Sequence, residues 1–257
     1  NYVKPGSKEI YDAIFTLNGV FANDREDILT VLKGMTSELN YLLTEITLMP
    51  NEKHCMDIDN VFTPCKRFLP QIPLEKQYHS NLYRLRLFHH FPMEETKYFK
   101  FTFGGGERKR LKDIVEYVIR PDFIYFGKSP TLGINNRVPI EEYSRVLRRT
   151  KYSIVIMDPI CNENGYITWR YFENICNGVI TFVDSKCDPD EIVMAKDHYL
   201  RVNNYIEMKQ KMNEIDSDPY LYKRLLEYQN SKFTNEDFSG ITVLNSLLRR
   251  RELNVQI

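Results

Sequence analysis

Three short stretches of this sequence combine residue types at spacings suited to chemistry. In the first, Gly104-Gly105-Gly106 is followed by Arg108, Lys109 and Arg110. Glycines let a backbone approach a phosphate closely, and a helix start offers open N–H groups and partial positive charge. Arginines add forked donors suited to a diphosphate. The same residues would equally make a sharp turn with a solvated basic helix start, since glycine-rich turns are common on their own. In the second, Thr168-Trp169-Arg170-Tyr171-Phe172-Glu173 places Arg170 and Glu173 three apart, on adjacent turns of one helix face. Such a helix start offers a cation to a diphosphate and a carboxylate to a ribose diol; it is also the pattern of an ordinary intrahelical ion pair. In the third, Thr44-Glu45-Ile46-Thr47 closes an apolar run. A carboxylate there is placed to act as general base on a hydroxyl, or it is a plain surface glutamate.

Other candidates are weaker. His89 and His90 are adjacent and precede Phe91-Pro92, so on an extended segment they point opposite ways and make no metal pair. His54, Cys55 and Asp57 match no zinc spacing. The five cysteines, Cys55, Cys65, Cys161, Cys176 and Cys187, form no CxxC pair and point to free thiols in a reducing compartment. No metal site is expected.

The elements that must position these residues alternate. Apolar runs read as strands at 11–17, 41–44, 98–103, 123–126, 152–157, 179–183 and 198–202. Helical spacing is read at 24–39, 108–118, 139–149, 167–176 and 189–195, and from 204 on, with breaks at Asp218-Pro219 and Asn235. Pro139 suits a first helical turn. The Asn-, Asp- and Pro-rich stretch 51–73 reads as one long loop near the active face. Alternation with short connections implies α/β architecture, parallel sheets covered by helices. The length of 257 residues allows two such domains, with a boundary near Phe91–Thr96. The chain opens on Asn1 without a first βα unit, so further residues are expected ahead of it.

Bulk properties narrow the function. Hydrophobic residues make up 42 % and aromatics 13 %, which is globular composition rather than disorder. Lysine plus arginine and aspartate plus glutamate both count 35, so any surface for nucleic acid must be a local patch. Lys109-Arg110, Arg148-Arg149 and Arg249-Arg250-Arg251 are the basic clusters available for one. No apolar run approaches a membrane span and no signal-peptide pattern opens the chain, so cytoplasm is expected.

Taken in order, these stretches resemble the β-glucosyltransferase family of T-even phages, which moves glucose from UDP-glucose onto 5-hydroxymethylcytosine in DNA. The segment from Tyr11-Asp12 to Phe21 resembles the family's strand, asparagine and Phe-Gly turn. Tyr41-Leu-Leu-Thr-Glu-Ile-Thr-Leu-Met-Pro50 resembles its Tyr-Leu-Phe-Thr-Asp-Ile-Arg-Leu-Pro segment, and Phe91-Pro92-Met93-Glu94 its Phe-Pro-Ile-Glu stretch. Gly104 to Val118 resembles its arginine-bearing phosphate loop. Thr168-x-Arg170-x-x-Glu173 followed by Val202-Asn203-Asn204 resembles its Thr-x-Arg-x-x-Glu and Val-Asn-Asn pattern.

The resemblance implies a GT-B fold of two Rossmann-like domains whose parallel sheets face a cleft, the first domain reduced. It implies an acceptor-binding domain over 1–95, a UDP-sugar-binding domain over 96–233, and a helix over 234–257 returning to the first. Glu173 would bind the uridine ribose. Arg170, Arg110 and Arg108, with the Gly104-Gly105 turn, would hold the diphosphate, and Val138 would read uracil through its backbone. Glu45 takes the place of the catalytic aspartate. The implied donor is UDP-glucose, with Mg or Mn as an optional assistant for which the sequence defines no site. The implied partner is double-stranded modified DNA, met by a monomer in an infected host cell. Glu45 for Asp, Thr47 for Arg and a shorter glycine loop depart from the family. These departures fit another acceptor, such as the glucose already on glucosyl-hydroxymethylcytosine. Two alternatives stay open: a UDP-sugar enzyme acting on a saccharide or small molecule, and a non-catalytic nucleotide-binding module.

Overall fold

The computed structural model describes residues 14–17, 31–43, 58–79 and 96–234. The chain divides into two compact units, Asn1–Leu85 with Ser239–Ile257, and Arg86–Phe238.

The first unit holds a four-stranded sheet of β1 (Ile14–Leu17), β2 (Leu39–Leu42), β3 (Asn60–Thr63) and β4 (Gln77–His79), in that spatial order and parallel throughout. Leu39, Tyr41, Leu43, Ile58, Val61, Leu69 and Ile72 form its buried core. The helical spacing read through Leu39 ends earlier: residues 31–33 are helical and Leu39 opens β2. The loop expected over 51–73 instead carries β3, whose polar start hides it from a hydrophobicity scan. Asn60 is held there by its amide donating to Asn40 Oδ1 at 2.9 Å. Gln77 replaces local regular structure with side-chain bonds, its amide donating to the carbonyls of Leu69 (2.9 Å) and Ile72 (2.6 Å).

The second unit holds a six-stranded sheet in the order β10-β9-β8-β5-β6-β7. Its strands are β5 (Phe99–Gly104), β6 (Phe123–Ser129), β7 (Ile134–Asn136), β8 (Thr150–Val155), β9 (Ile180–Asp184) and β10 (Arg201–Val202). All pairs are parallel except the β6–β7 hairpin. The chain starts at central β5, winds outward through β6, and returns to place β8, β9 and β10 on the other side. The order therefore reverses between β5 and β8, and open α/β sheets bind ligands outside the carboxyl ends of strands at such a switch point.

The helices are α1 (Leu111–Tyr117), α2 (Ile140–Arg148), α3 (Pro159–Glu163), α4 (Arg170–Cys176), α5 (Tyr205–Ser217) and α6 (Pro219–Thr234). In α2, Glu141 and Glu142 occupy the first turn and Arg145 and Arg148 the last, complementing the helix dipole. Tyr143 and Leu147, four apart, supply its buried face. Helix α4 is buried from Tyr171 to Cys176, between the sheet and α6. Beyond the short β10, the free edge of β9 is covered by a side chain: Gln229 of α6 bonds both the N–H and the carbonyl of Thr181 at 3.2 Å.

The helix expected over 189–195 does not form. Asp188 supplies a different local solution. Its buried carboxylate accepts the N–H groups of Ile192 (2.7 Å), Val193 and Met194 (both 3.1 Å). Arg201, 5 % exposed, closes the loop by pairing with Asp188 at 3.3 Å and donating to the Met194 carbonyl. Arg201→Met should leave that carboxylate buried and unpaired, costing about 3–5 kcal/mol. Urea unfolding checks this; a loss below about 1 kcal/mol would show that the loop does not depend on the pair.

Candidate functional site

The carboxyl end of β5 is shaped by what glycine lacks. A Cβ on Gly104 would lie 2.2 Å from the Tyr143 hydroxyl, and one on Gly105 would lie 2.5 Å from an Arg110 Nη. On the neighbouring strand, a Cβ on Gly127 would lie 1.8 Å from the Gly105 carbonyl oxygen, closer than any real contact. These glycines admit Tyr143, Arg110 and a second backbone to one small volume. The turn also continues the sheet: Gly105 N–H donates to Phe126 O and Glu107 N–H to Lys128 O, both at 2.9 Å. Two of the amides that the sequence offered to a phosphate are thus engaged within the protein. Glu107 then ties the turn to the β6–β7 hairpin, accepting from Ser129 Oγ (2.6 Å) and from Thr131.

An open cavity of about 340 Å³ lies beside this turn, within the range of small-ligand sites. The glycine turn, Phe126 and Lys128 form one wall; Arg137, Val138, Ile140, Tyr143 and Arg170 complete it. Of the expected donor-binding residues, Gly104, Gly105, Val138 and Arg170 line this cavity, and Arg110 lines a narrower recess that shares Gly104, Tyr143 and Arg170 with it. Glu173, buried and paired with Arg170, lines neither, and Arg108 does not join them. Arg108 is exposed, at φ 42°, a left-handed conformation that a tight turn imposes on a non-glycine residue, and it lies outside the cavity lining. Glu45 lies outside the described residues.

The electrostatics are lopsided. The Arg110 guanidinium donates to the carbonyls of Gly106 (2.8 Å, from Nε) and Ile156 (2.6 Å, from Nη1), so it spans the switch point from β5 to the end of β8. No carboxylate pairs with it among the described residues. Burial and the nearby Arg108 cation both make its charge less comfortable, lowering its pKa, yet an arginine stays protonated. Arg170 pairs with Glu173, as its spacing predicts, and its guanidinium lies over the rings of Trp169 (4.4 Å) and Tyr143 (5.1 Å). Glu173 is 4 % exposed; burial raises its pKa, and Arg170 works against that rise. Lys128 and Arg137 are exposed at the mouth and have no acidic partner among the described residues.

Sequence reasoning missed Tyr143, Lys128, Arg137 and Gly127. The hairpin cations become visible only once β7 is known to fold back on β6. Tyr143 reads as one core residue of an amphipathic helix. Among the described residues no cluster of three or more His, Cys, Asp or Glu side chains could hold a metal ion, and no helix is long and apolar enough to cross a membrane.

No protein-family model matches this sequence, and no curated protein matches it. Solved structures do. A structure of the DNA-modifying enzyme β-glucosyltransferase, studied with and without its substrate uridine diphosphoglucose, aligns with a TM-score of 0.66 at 17 % identity, covering 88 % of this chain and 77 % of that one. T4 phage β-glucosyltransferase with UDP and Mn2+ aligns with a TM-score of 0.65 at 18 % identity, covering 87 % and 78 %. The same enzyme with UDP-glucose gives 0.65 at 17 % identity, covering 88 % and 78 %. At this identity the likeness is one of fold: this chain has the α/β, parallel-sheet architecture of those GT-B glycosyltransferases.

Proposed function

We propose that this chain is a UDP-sugar-dependent glycosyltransferase of the phage DNA β-glucosyltransferase family. In this reading it carries glucose from UDP-glucose to a hydroxyl on modified DNA, either 5-hydroxymethylcytosine or its glucoside. The observation that carries the reading is the convergence, at the switch point of one sheet, of Arg110, which no carboxylate pairs among the described residues, the Arg170–Glu173 pair and an open cavity of about 340 Å³. An excess of fixed cation over anion beside strand ends suits a diphosphate, and it stabilises the charge that develops as the sugar–phosphate bond breaks. The likeness to structures described as bound to UDP and UDP-glucose supports the same reading.

Within it, Arg110 and Arg170 hold the diphosphate, the Gly104-Gly105 turn backs it, Glu173 accepts from the ribose diol, and Val138 meets uracil through its backbone. Arg108 is held in reserve for the bound state, since its present position is on the surface. Residues 1–95 take the acceptor, 96–233 the donor, and 234–257 return to the first domain. Glu45 is the group that deprotonates or positions the acceptor hydroxyl. A base buried in duplex would be flipped out to reach it. The chain acts as a monomer in the cytoplasm of the infected host, with Mg or Mn as an optional assistant.

The acceptor is the finer part of the claim. Lys128 and Arg137, with no acidic partner among the described residues, supply local positive charge beside the mouth that suits a phosphate backbone despite zero net charge. The zero net charge itself favours the second reading, transfer to a saccharide or small molecule. Incubation with UDP-glucose and duplexes bearing cytosine, hydroxymethylcytosine or glucosylated hydroxymethylcytosine decides between them. Mass analysis of the nucleosides should show one added hexose on a modified base only. No hexose on any DNA, with UDP-glucose still bound, would move the acceptor to the second class.

Two further outcomes test the roles. Glu45→Gln should lower turnover at least 100-fold while UDP affinity stays within about twofold; unchanged turnover would remove Glu45 as the base. The pH dependence of UDP-glucose binding tests Glu173, because this ligand, unlike UDP, carries no phosphate ionisation near neutral pH. Its raised pKa means that the carboxylate gains its proton at a higher pH than an ordinary glutamate as the solution is acidified. Affinity should therefore be full at neutral pH and begin to fall above the usual carboxylate range. In Glu173→Gln that acid limb should vanish; calorimetry across pH reads both.

A further inference from the structure

Tyr143 is 5 % exposed, and its ring is fully engaged. Phe126 meets it edge-on at 5.7 Å, and the Arg170 guanidinium lies 5.1 Å from its centroid. Its hydroxyl is not engaged. It makes no hydrogen bond with any described residue, yet it is not among the polar atoms that the packing seals away from solvent. Tyr143 borders both the cavity and the narrower recess, and the hydroxyl occupies the space that the absent Gly104 side chain leaves.

The neighbours decide what such a hydroxyl can meet. Arg110 and Arg170 line the same recess, and a guanidinium donates but never accepts. Neither can satisfy the hydroxyl as an acceptor. Burial holds the phenol protonated, and the carboxylate of Glu173 adds to that effect, so the group stays an O–H donor. A ligand atom among two guanidinium groups and a phenolic O–H must be rich in lone pairs and negatively charged. A phosphate oxygen has both properties.

We propose that the Tyr143 hydroxyl is a third donor to the diphosphate of the sugar nucleotide, and that Gly104 is glycine so that this hydroxyl can reach it. The inference rests on the reading of the cavity as a UDP-sugar site, and it adds a residue which that reading does not require. Tyr143→Phe keeps the ring, its contact with Phe126 and the cation over its face, and removes the donor alone. UDP affinity should fall about tenfold, the effect of one hydrogen bond to a charged acceptor. Uridine affinity, read by ligand-observed NMR, should stay within twofold. Gly104→Ala, whose Cβ would displace the hydroxyl, should repeat that selective loss. Unchanged UDP binding in Tyr143→Phe, or an equal loss for uridine, overturns the assignment. A wild-type protein that binds neither ligand overturns the pocket reading itself, and this inference with it.

Discussion

The second unit is organised by a steric constraint: three positions at the carboxyl ends of β5 and β6 have no room for a side chain. Gly104, Gly105 and Gly127 allow a tyrosine, an arginine and a neighbouring backbone to converge where the strand order reverses. The glycines work indirectly. They do not chiefly clear space for a ligand; they clear space for the protein groups that would meet one. Every other feature of the site follows from that convergence, because Arg110 can cross from one strand end to the next only over a bare Gly105.

The electrostatic character of the site follows from the same geometry. Among the described residues Arg110 finds backbone carbonyls and no paired carboxylate, so its donors are engaged without an ion pair. Glu173 balances Arg170 from beneath, and burial makes that carboxylate a reluctant anion. Among the described residues one carboxylate thus pairs with one of the two guanidinium groups, and an incoming anion meets a field already oriented toward it.

Much of this was legible in the sequence because the relevant signals are local. Strands at 98–103, 123–126, 152–157 and 179–183, the helix that starts after Pro139 and the three-residue spacing of Arg170 and Glu173 survive in the structure, whereas β7 and the short α3 were not read. The failures share a cause, side chains acting for backbone. Asp188 gathers three amides and so replaces the helix expected at 189–195; Gln77 holds a segment that read as plain loop. Asn60 makes β3 begin on a polar residue. None of these has a periodicity. The glycine turn was found for one reason and matters for another, because which Cβ would collide with what is a property of packed neighbours. Arg108 illustrates the reverse case, a residue of the right type beside the motif whose backbone turns it outward.

The rim of the cavity is built from paired main chain. Strand β7 returns along β6, Gly105 and Glu107 extend the pairing on the other side, and Glu107 fastens the hairpin tip through Ser129 and Thr131. A guest arriving there finds walls already in place and does not have to organise a loose loop. Little of its interaction would be spent on ordering the host, so affinity should track the chemistry of the guest more than its size.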